Sequence, residues 1–344
     1  MLIGVDANEA NVNDRVGSNE FAYQILWQLY RQDKKNQYLI YLKTKPLKTL
    51  PKSRIGWEYR ILTPTIFYTQ WRLPLSLYLD QPRPKIFLTL GHYAPRFSPI
   101  PTLICIMDLA FLKFPQTFKF LDLWQLKNWT AYSVRRASHI FSISQATKQD
   151  IINYYQFKSN QITVVYPGIN RLTVTGSKPI KNKYLLYIGT LQPRKNIDAL
   201  IAAFNSIKSL NYYLLIAGKV GWKYQIKSAP QVKYLGYVAE EKLGVLIKNS
   251  SGLILPSLYE GFGIPVLQAM SLGVPVLVSR NSSLPEIVGN CGYYIEPPFD
   301  ADAIRTGIIK LLSGKINQRL AQIRAQEFSW SKSAAKILEV INDY

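Results

Sequence analysis

Short apolar runs recur along the chain with spacers of helix length between them, and this alternation restricts the fold more than any other feature. The first set is Leu2–Val5, Tyr38–Leu42, Ile86–Leu90, Thr102–Ile106, His139–Ile143 and Ile162–Val165. The second is Tyr184–Ile188, Tyr213–Ala217, Val232–Leu235, Gly252–Leu255, Val274–Val278 and Tyr293–Ile295. Brief runs of this kind, alternating with segments of 3.6-residue period, read as parallel strands covered by helices on both faces. Residues 21–30 show that period, with Phe21, Ala22, Ile25, Leu26 and Leu29 on one face. Between the sets lies 167–183, PGINRLTVTGSKPIKNK, whose Pro, Gly and Lys content is that of a linker. The expected class is therefore α/β, with two Rossmann-like, doubly wound domains facing across a cleft. Ligands of such sheets bind beyond the carboxyl ends of the strands.

Composition agrees. A chain of 344 residues, 48% hydrophobic and 18% charged, suits a soluble protein of two domains. Cys105 and Cys291 are far apart in apolar surroundings and read as buried thiols of a cytosolic protein, with neither a disulfide framework nor metal-ligand spacing. The N-terminal apolar run is too short for a signal peptide, and no stretch reaches the length of a membrane span. No metal ligands are expected.

Residues 252–275, GLILPSLYEGFGIPVLQAMSLGVP, place a strand, a polar elbow and an apolar helix in succession. The elbow is Glu260-Gly261-Phe262-Gly263, and the helix opens near Ile264. Unpaired backbone N–H groups at such a helix start, with the helix dipole behind them, form an anion site. A carboxylate is a poor neighbour for a phosphate, so Glu260 is better suited to gripping hydroxyls of a sugar carried by that phosphate. An ordinary strand–turn–helix unit is the plainer reading. A second loop, Gly189-Thr190-Leu191-Gln192-Pro193-Arg194-Lys195-Asn196, follows the run Tyr184–Ile188. Arg194 and Lys195 there are placed to neutralise a diphosphate. Two solvated cations are the alternative, although cations are disfavoured at a helix N-terminus.

Together these strings resemble the donor-site signature of the retaining glycosyltransferases of family 4. That family carries E-G-F-G-(I/L)-P-x-x-E and G-x-x-x-x-R-K-N. The resemblance implies the GT-B fold and a nucleoside diphosphate sugar as co-substrate, with no cofactor. It implies donor contacts from Gly189, Arg194, Lys195, Glu260, Gly261, Phe262, Gly263 and Ile264, with Glu260 on hydroxyls of the transferred sugar. Gly17 and Ser18, before the first long helix, would approach a phosphate by backbone. Tyr237 and Val238, in Leu235-Gly236-Tyr237-Val238, match the segment whose backbone reads the base. The final segment, from Phe328 to about residue 344, looks like the helix that returns to the first domain. Domains are accordingly expected at 1–170 and 171–327, with about 328–344 packed on the first.

Three positions depart from the pattern. The second acid of the family, which holds ribose, is Gln268 here. An amide still accepts a hydrogen bond, at about 0.5–1.5 kcal/mol against about 1.5–3 for a charged acceptor. Thr190 replaces a further Arg found in many members. The family's His-Asp after the fourth run is Met107-Asp108. Asp108 is the candidate for orienting acceptor or donor, with helix capping as the alternative. His92 is an acceptor-side candidate that could stand in for the missing His, although a lone His is commonly structural. His139 reads as packing only.

The formal charge of +21 is divided evenly, +11 in residues 1–170 and +10 in 171–344. A cationic surface attracts anionic lipid, nucleic acid or diphosphates. Residues 111–136 mix Phe, Leu and Trp with Lys and Arg, the composition of a segment at a membrane interface or of a helix packed on a core. No nucleic-acid motif accompanies the charge. The sequence thus leads to a metal-independent, retaining hexosyltransferase using, for example, GDP-mannose or UDP-glucose. Its acceptor would be a glycan or lipid-linked glycan hydroxyl, reached from the cytoplasm or from an anionic membrane surface. Asp108, Glu260, Arg194 and Lys195 would carry the reaction. The alternatives are a nucleotide-sugar epimerase of the same fold and a non-catalytic sugar-nucleotide-binding protein.

Overall fold

The computed structural model describes residues 1–344 except positions 16, 171, 179, 208 and 209, so 171 and 179 of the expected linker lie outside the described residues. Among the described residues the strands form two parallel sheets. The first contains β1 (Leu2–Asp6), β2 (Gln37–Leu42), β3 (Trp57–Ile61), β4 (Ile86–Thr89), β5 (Thr102–Ile106), β6 (His139–Ser142) and β7 (Ile162–Val164), in the order β3-β2-β1-β4-β5-β6-β7. The second contains β8 (Tyr184–Ile188), β9 (Tyr213–Ala217), β10 (Val232–Gly236), β11 (Leu253–Leu255), β12 (Val276–Ser279) and β13 (Tyr293–Ile295), in the order β10-β9-β8-β11-β12-β13. Central strands such as β5 are buried at every position, which is why they read as unbroken apolar runs.

β3 escaped the sequence reading. Its residues WEYRI carry Glu58 and Arg60, and only Trp57 is buried. It is one of the two edge strands of its sheet and is largely uncovered, so it shows no apolar run of its own.

The chain divides into two compact units. One holds Met1–Leu109, Leu121–Gly168 and Ser329–Tyr344, and the other holds Ala110–Phe120 and Ile169–Phe328. The excursion Ala110–Phe120 therefore belongs with the second sheet, although the expected boundary put all of 1–170 in the first domain. Trp222 Nε1 donates to Thr117 O at 2.6 Å and Lys223 Nζ to Gln116 O at 2.8 Å. The Phe118 ring lies 5.7 Å from that of Trp222, and Phe114 lies 6.3 Å from Tyr259.

In the first unit, helix Ser18–Gln32 buries Phe21, Ala22, Ile25, Leu26 and Leu29, the predicted face. Against it packs the last helix, Trp330–Asn342, through Trp330, Ala334, Ile337 and Ile341. The Phe21 and Trp330 rings meet edge-on at 6.0 Å, and Ser333 Oγ donates to Tyr166 O. Gly168 allows this approach, since a Cβ there would sit 2.2 Å from Trp330 N. Gly168→Ala is expected to lower stability by about 1–3 kcal/mol, the usual cost of overpacking. Urea unfolding checks it, and an unchanged midpoint would show that the last helix docks less tightly than described.

Candidate functional site

In the second sheet the chain runs outward from β8 through β9 to β10 and then returns to the other side at β11. β8 and β11 are neighbours, with Leu186 opposite Leu253. This reversal is the switch point at which α/β sheets open a crevice beyond their carboxyl ends. The loop after β8 carries Gly189–Asn196 and the loop after β11 carries Pro256–Gly263, so the two strings picked out in the sequence are brought together here.

Leu258 N donates to Arg194 O at 2.8 Å, which ties one loop to the other. Lys195, in the short turn Pro193–Lys195, is buried, and its Nζ donates to Glu260 Oε1 at 2.5 Å. Ser257 Oγ donates to the same oxygen at 2.7 Å. Arg194 donates to Tyr259 O at 2.9 Å and stands 4.0 Å from Glu260 Oε2. Burial pushes the Glu260 carboxyl up, but the charges of Lys195 and then Arg194, with hydrogen bonds from Lys195 and Ser257, outweigh it and hold the group below its ordinary 4.5. The carboxylate is thus ionised in a buried setting.

The backbone around Glu260 is also fixed. Its N–H donates to Ser282 Oγ at 3.0 Å, and Ser283 Oγ donates to Glu260 O and Phe262 O at 3.0 and 2.7 Å. Gly263, at φ 123°, precedes helix Ile264–Ser271. That backbone conformation disfavours any side chain, and a Cβ would lie 2.9 Å from the Leu284 side chain. Gly261 sits between these two held residues. The Phe262 side chain is packed, edge-on to Phe328 at 5.7 Å, so only its backbone can face a ligand. At this helix start Pro265 carries no N–H, and the N–H groups of Val266 and Leu267 donate to Gly263 O at 3.0 and 3.3 Å.

Three buried polar atoms beside this cluster have no hydrogen-bond partner among the described residues: Tyr187 Oη, Gln192 Oε1 and Arg194 Nε. Each unmet group costs about 1–3 kcal/mol. Of these, Arg194 stands beside the Glu260 carboxylate, and Tyr187 is close enough to feel the charges of both. Burial, together with the Glu260 charge, pushes the Tyr187 hydroxyl well up, so it is a neutral donor. Tyr187, Gln192, Ser257, Ser282 and Ser283 were not foreseen from sequence. Tyr187 was hidden inside an apolar run, and the serines act through pairings that only the fold creates.

Other candidates stand elsewhere. Gln268 is buried on helix Ile264–Ser271. Gly236, at φ 64°, ends the edge strand β10; after it Tyr237 is exposed, its ring 4.7 Å from Lys219 Nζ, and Val238 is half-buried. In the first unit Gly17, at φ 52° and ψ −111°, precedes helix Ser18–Gln32. The Glu9 carboxylate already stands at that helix start, accepting from Ser18 Oγ at 3.5 Å and Asn19 Nδ2 at 2.7 Å. A phosphate approaching there meets a like charge, which the sequence reading did not anticipate.

His92 and Met107 follow β4 and β5 and are joined directly. Met107 N–H donates to His92 Nε2 at 3.0 Å. The ring proton is therefore on Nδ1, which is buried with no partner among the described residues. Burial pushes the imidazole pKa down against the opposing pull of Asp108, so the ring stays neutral. His92 thus occupies space beside the residue that replaces the family's His. His139 instead meets Thr163 Oγ1 at 2.9 Å within the sheet. Among the described residues no group of three or more His, Cys, Asp or Glu side chains could hold a metal ion. Cys105 is buried and Cys291 half-buried, and both are free thiols.

Comparison with known proteins follows the same division. The family of glycosyl transferases group 1 matches residues 173–328, and glycosyltransferase family 4 matches 58–171. The O-antigen chain mannosyltransferase B of Escherichia coli is 32% identical over 238 residues, 62% of this chain and 61% of that protein. The match thus spans about three fifths of that relative. Among solved structures, sucrose-phosphate synthase from Thermosynechococcus elongatus superposes with a TM-score of 0.74 at 17% identity, covering 99% of this chain and 98% of the other. Anabaena HepE in complex with UDP-glucose does so at 0.72 and 18%, covering the whole of both chains. With both sheets, the two donor strings and these matches in agreement, the chain belongs to the family 4-like glycosyltransferases of the GT-B fold.

Proposed function

We propose that the protein is a retaining hexosyltransferase that moves mannose or glucose from a nucleoside diphosphate sugar to a hydroxyl of a glycan or lipid-linked glycan. The observation that carries this is the buried Lys195–Glu260 pair at the β8/β11 switch point, with the Arg194 guanidinium 4.0 Å from the same carboxylate. A sugar hydroxyl donating to Glu260 and a diphosphate accepting from Arg194, Lys195 and the N–H groups after Glu260 would use this arrangement. Leaving-group charge is then met by fixed donors, the largest single contribution in most such sites. Gln268 would hold ribose, and His92 with Asp108 would serve the acceptor. Support for mannose comes from the named E. coli relative, and support for a nucleotide sugar from the UDP-glucose complex of HepE. The nucleotide sugar acts as co-substrate, and no resident cofactor or metal is proposed.

The test is product analysis with GDP-mannose and UDP-glucose, with and without a glycan acceptor and a chelator. The expected result is acceptor-dependent nucleotide release, unchanged by EDTA, giving a product of retained anomeric configuration. A changed sugar without acceptor would indicate an epimerase, and binding without turnover a non-catalytic protein.

The same reading places the protein on the cytoplasmic face of an anionic membrane. No helix among the described residues is long and apolar enough to cross a bilayer. Within helix Phe120–Arg136 only Thr130, Ser133 and Val134 are buried, and Phe120 is 80% exposed. Changing Lys119, Lys127, Arg135 and Arg136 together to Gln should weaken flotation with anionic vesicles, since each such charge contributes about 1 kcal/mol near the surface. Undiminished flotation would remove the cations from the account.

A further inference from the structure

A second element of the first unit bears on that docking. Residues Tyr68–Arg72 form a π-helical turn that runs into helix Leu73–Leu79, sequence LPLSLYL. One side of this element is core. Tyr68, Leu73 and Leu77 are buried in a cluster with Leu39, Tyr41, Leu62 and Phe87. The other side is equally apolar yet exposed. Trp71, Leu75, Tyr78 and Leu79 fall at i, i+4, i+7 and i+8, which is one helical face, with Trp71 72% and Leu79 68% exposed. Ile66 and Phe67, just before the turn, are exposed as well. A helix apolar all round requires apolar surroundings all round. Its own core supplies only half.

The charges identify the other half. Between Glu58 and Asp108 the sequence holds a single acid, Asp80, against Arg60, Arg72, Arg83, Lys85 and Arg96. Asp80 is buried, accepting from Arg60 at 2.5 Å, Tyr41 at 2.6 Å and Ser76 at 3.1 Å. No carboxylate therefore faces out from this stretch. Arg72 donates to Thr63 O and Arg83 to Tyr78 O, both at 2.7 Å, which fixes a guanidinium at each end of the exposed face. An apolar stripe ending in cations is the pattern of a helix lying in the headgroup region of an anionic bilayer.

We infer that the exposed face of residues 66–79 is the part of the protein that enters the lipid, with Trp71 and Leu79 reaching the acyl boundary. This rests on the docking reading above and specifies the surface it uses. It also assigns the cations of helix Phe120–Arg136 to attraction and residues 66–79 to insertion. The segments are linked: Arg96 N donates to Thr69 O at 3.0 Å, and the Arg96 guanidinium lies 4.5 Å from the Tyr132 ring centroid.

The experiment uses the full chain with vesicles of mixed zwitterionic and anionic phospholipid, some brominated along the acyl chains. Trp71→Ser with Leu79→Ser should reduce vesicle binding at least about tenfold, from two lost apolar side chains, with unchanged circular dichroism. Acyl bromines should quench the wild-type fluorescence, and Trp71→Phe should remove most of that quenching while keeping binding. If wild type binds but the double variant binds equally, or quenching persists in Trp71→Phe, the insertion surface is elsewhere and docking alone survives. If wild type binds no anionic vesicle, both readings fall. Sedimentation showing a dimer abolished by Trp71→Ser with Leu79→Ser, without vesicle binding, would assign the face to a second copy and overturn the inference.

Discussion

Replacing Lys195 with alanine is expected to lower sugar transfer at least about a hundredfold and to destabilise the fold by about 3–5 kcal/mol. Both effects come from one contact. The ammonium lies 2.5 Å from Glu260 Oε1 with both side chains nearly excluded from water, so its removal leaves a buried carboxylate that faces, among the described residues, Ser257 and the more distant Arg194. That carboxylate will then bind a proton more readily and lose its strength as an acceptor for a sugar hydroxyl. Glu260→Gln should be costly for the mirror-image reason. Combining Lys195→Met with Glu260→Gln removes both charges, and the double variant should be more stable than the sum of the single losses by about 0.5–3 kcal/mol. Additive losses in urea unfolding would show that the pair does not stabilise itself. The wild-type pH dependence has a definite sign. The Glu260 carboxyl is depressed below 4.5, so its contribution is fully present above that pH and is lost as pH falls through the depressed value. In Glu260→Gln that segment of the acid transition should be shallower.

Arg194→Ala should separate chemistry from stability. Its guanidinium donates to Tyr259 O, stands 4.0 Å from Glu260, and has a buried Nε with no partner among the described residues. Little of the fold depends on it, whereas a charge-assisted phosphate contact is worth about 1.5–3 kcal/mol. Transfer should therefore fall roughly ten- to a hundredfold with a smaller loss of stability than Lys195→Ala. Wild-type kinetics in Arg194→Ala would remove this residue from the diphosphate site.

The sequence was informative wherever one physical cause acted alone. Strands buried on both faces, such as β5 and β8, must be apolar throughout, and they were found. β3 carries Glu58 and Arg60 and leaves Ile61 exposed because it is an edge, and it was missed. Glu260, Arg194 and Lys195 were legible because charged residues at glycine turns after strands need a reason to be there. Their mutual pairing was not, since 65 residues separate Lys195 from Glu260. The excursion Ala110–Phe120 could not be assigned either, because nothing local says that Trp222 and Tyr259 receive it. Residues 66–79 look in sequence like any core helix. Only the structure shows that the core takes just one of their two apolar faces.

The central claim is that Lys195 and Glu260 form the donor site, and titration calorimetry tests it most directly. GDP-mannose or UDP-glucose, whichever raises the wild-type melting temperature, is titrated into wild type and into the Lys195→Met, Glu260→Gln double variant, with folding verified by circular dichroism. The account predicts saturable wild-type binding and at least about tenfold weaker binding in the variant, a loss of about 1.4 kcal/mol or more. Equal affinity in the two proteins would contradict it.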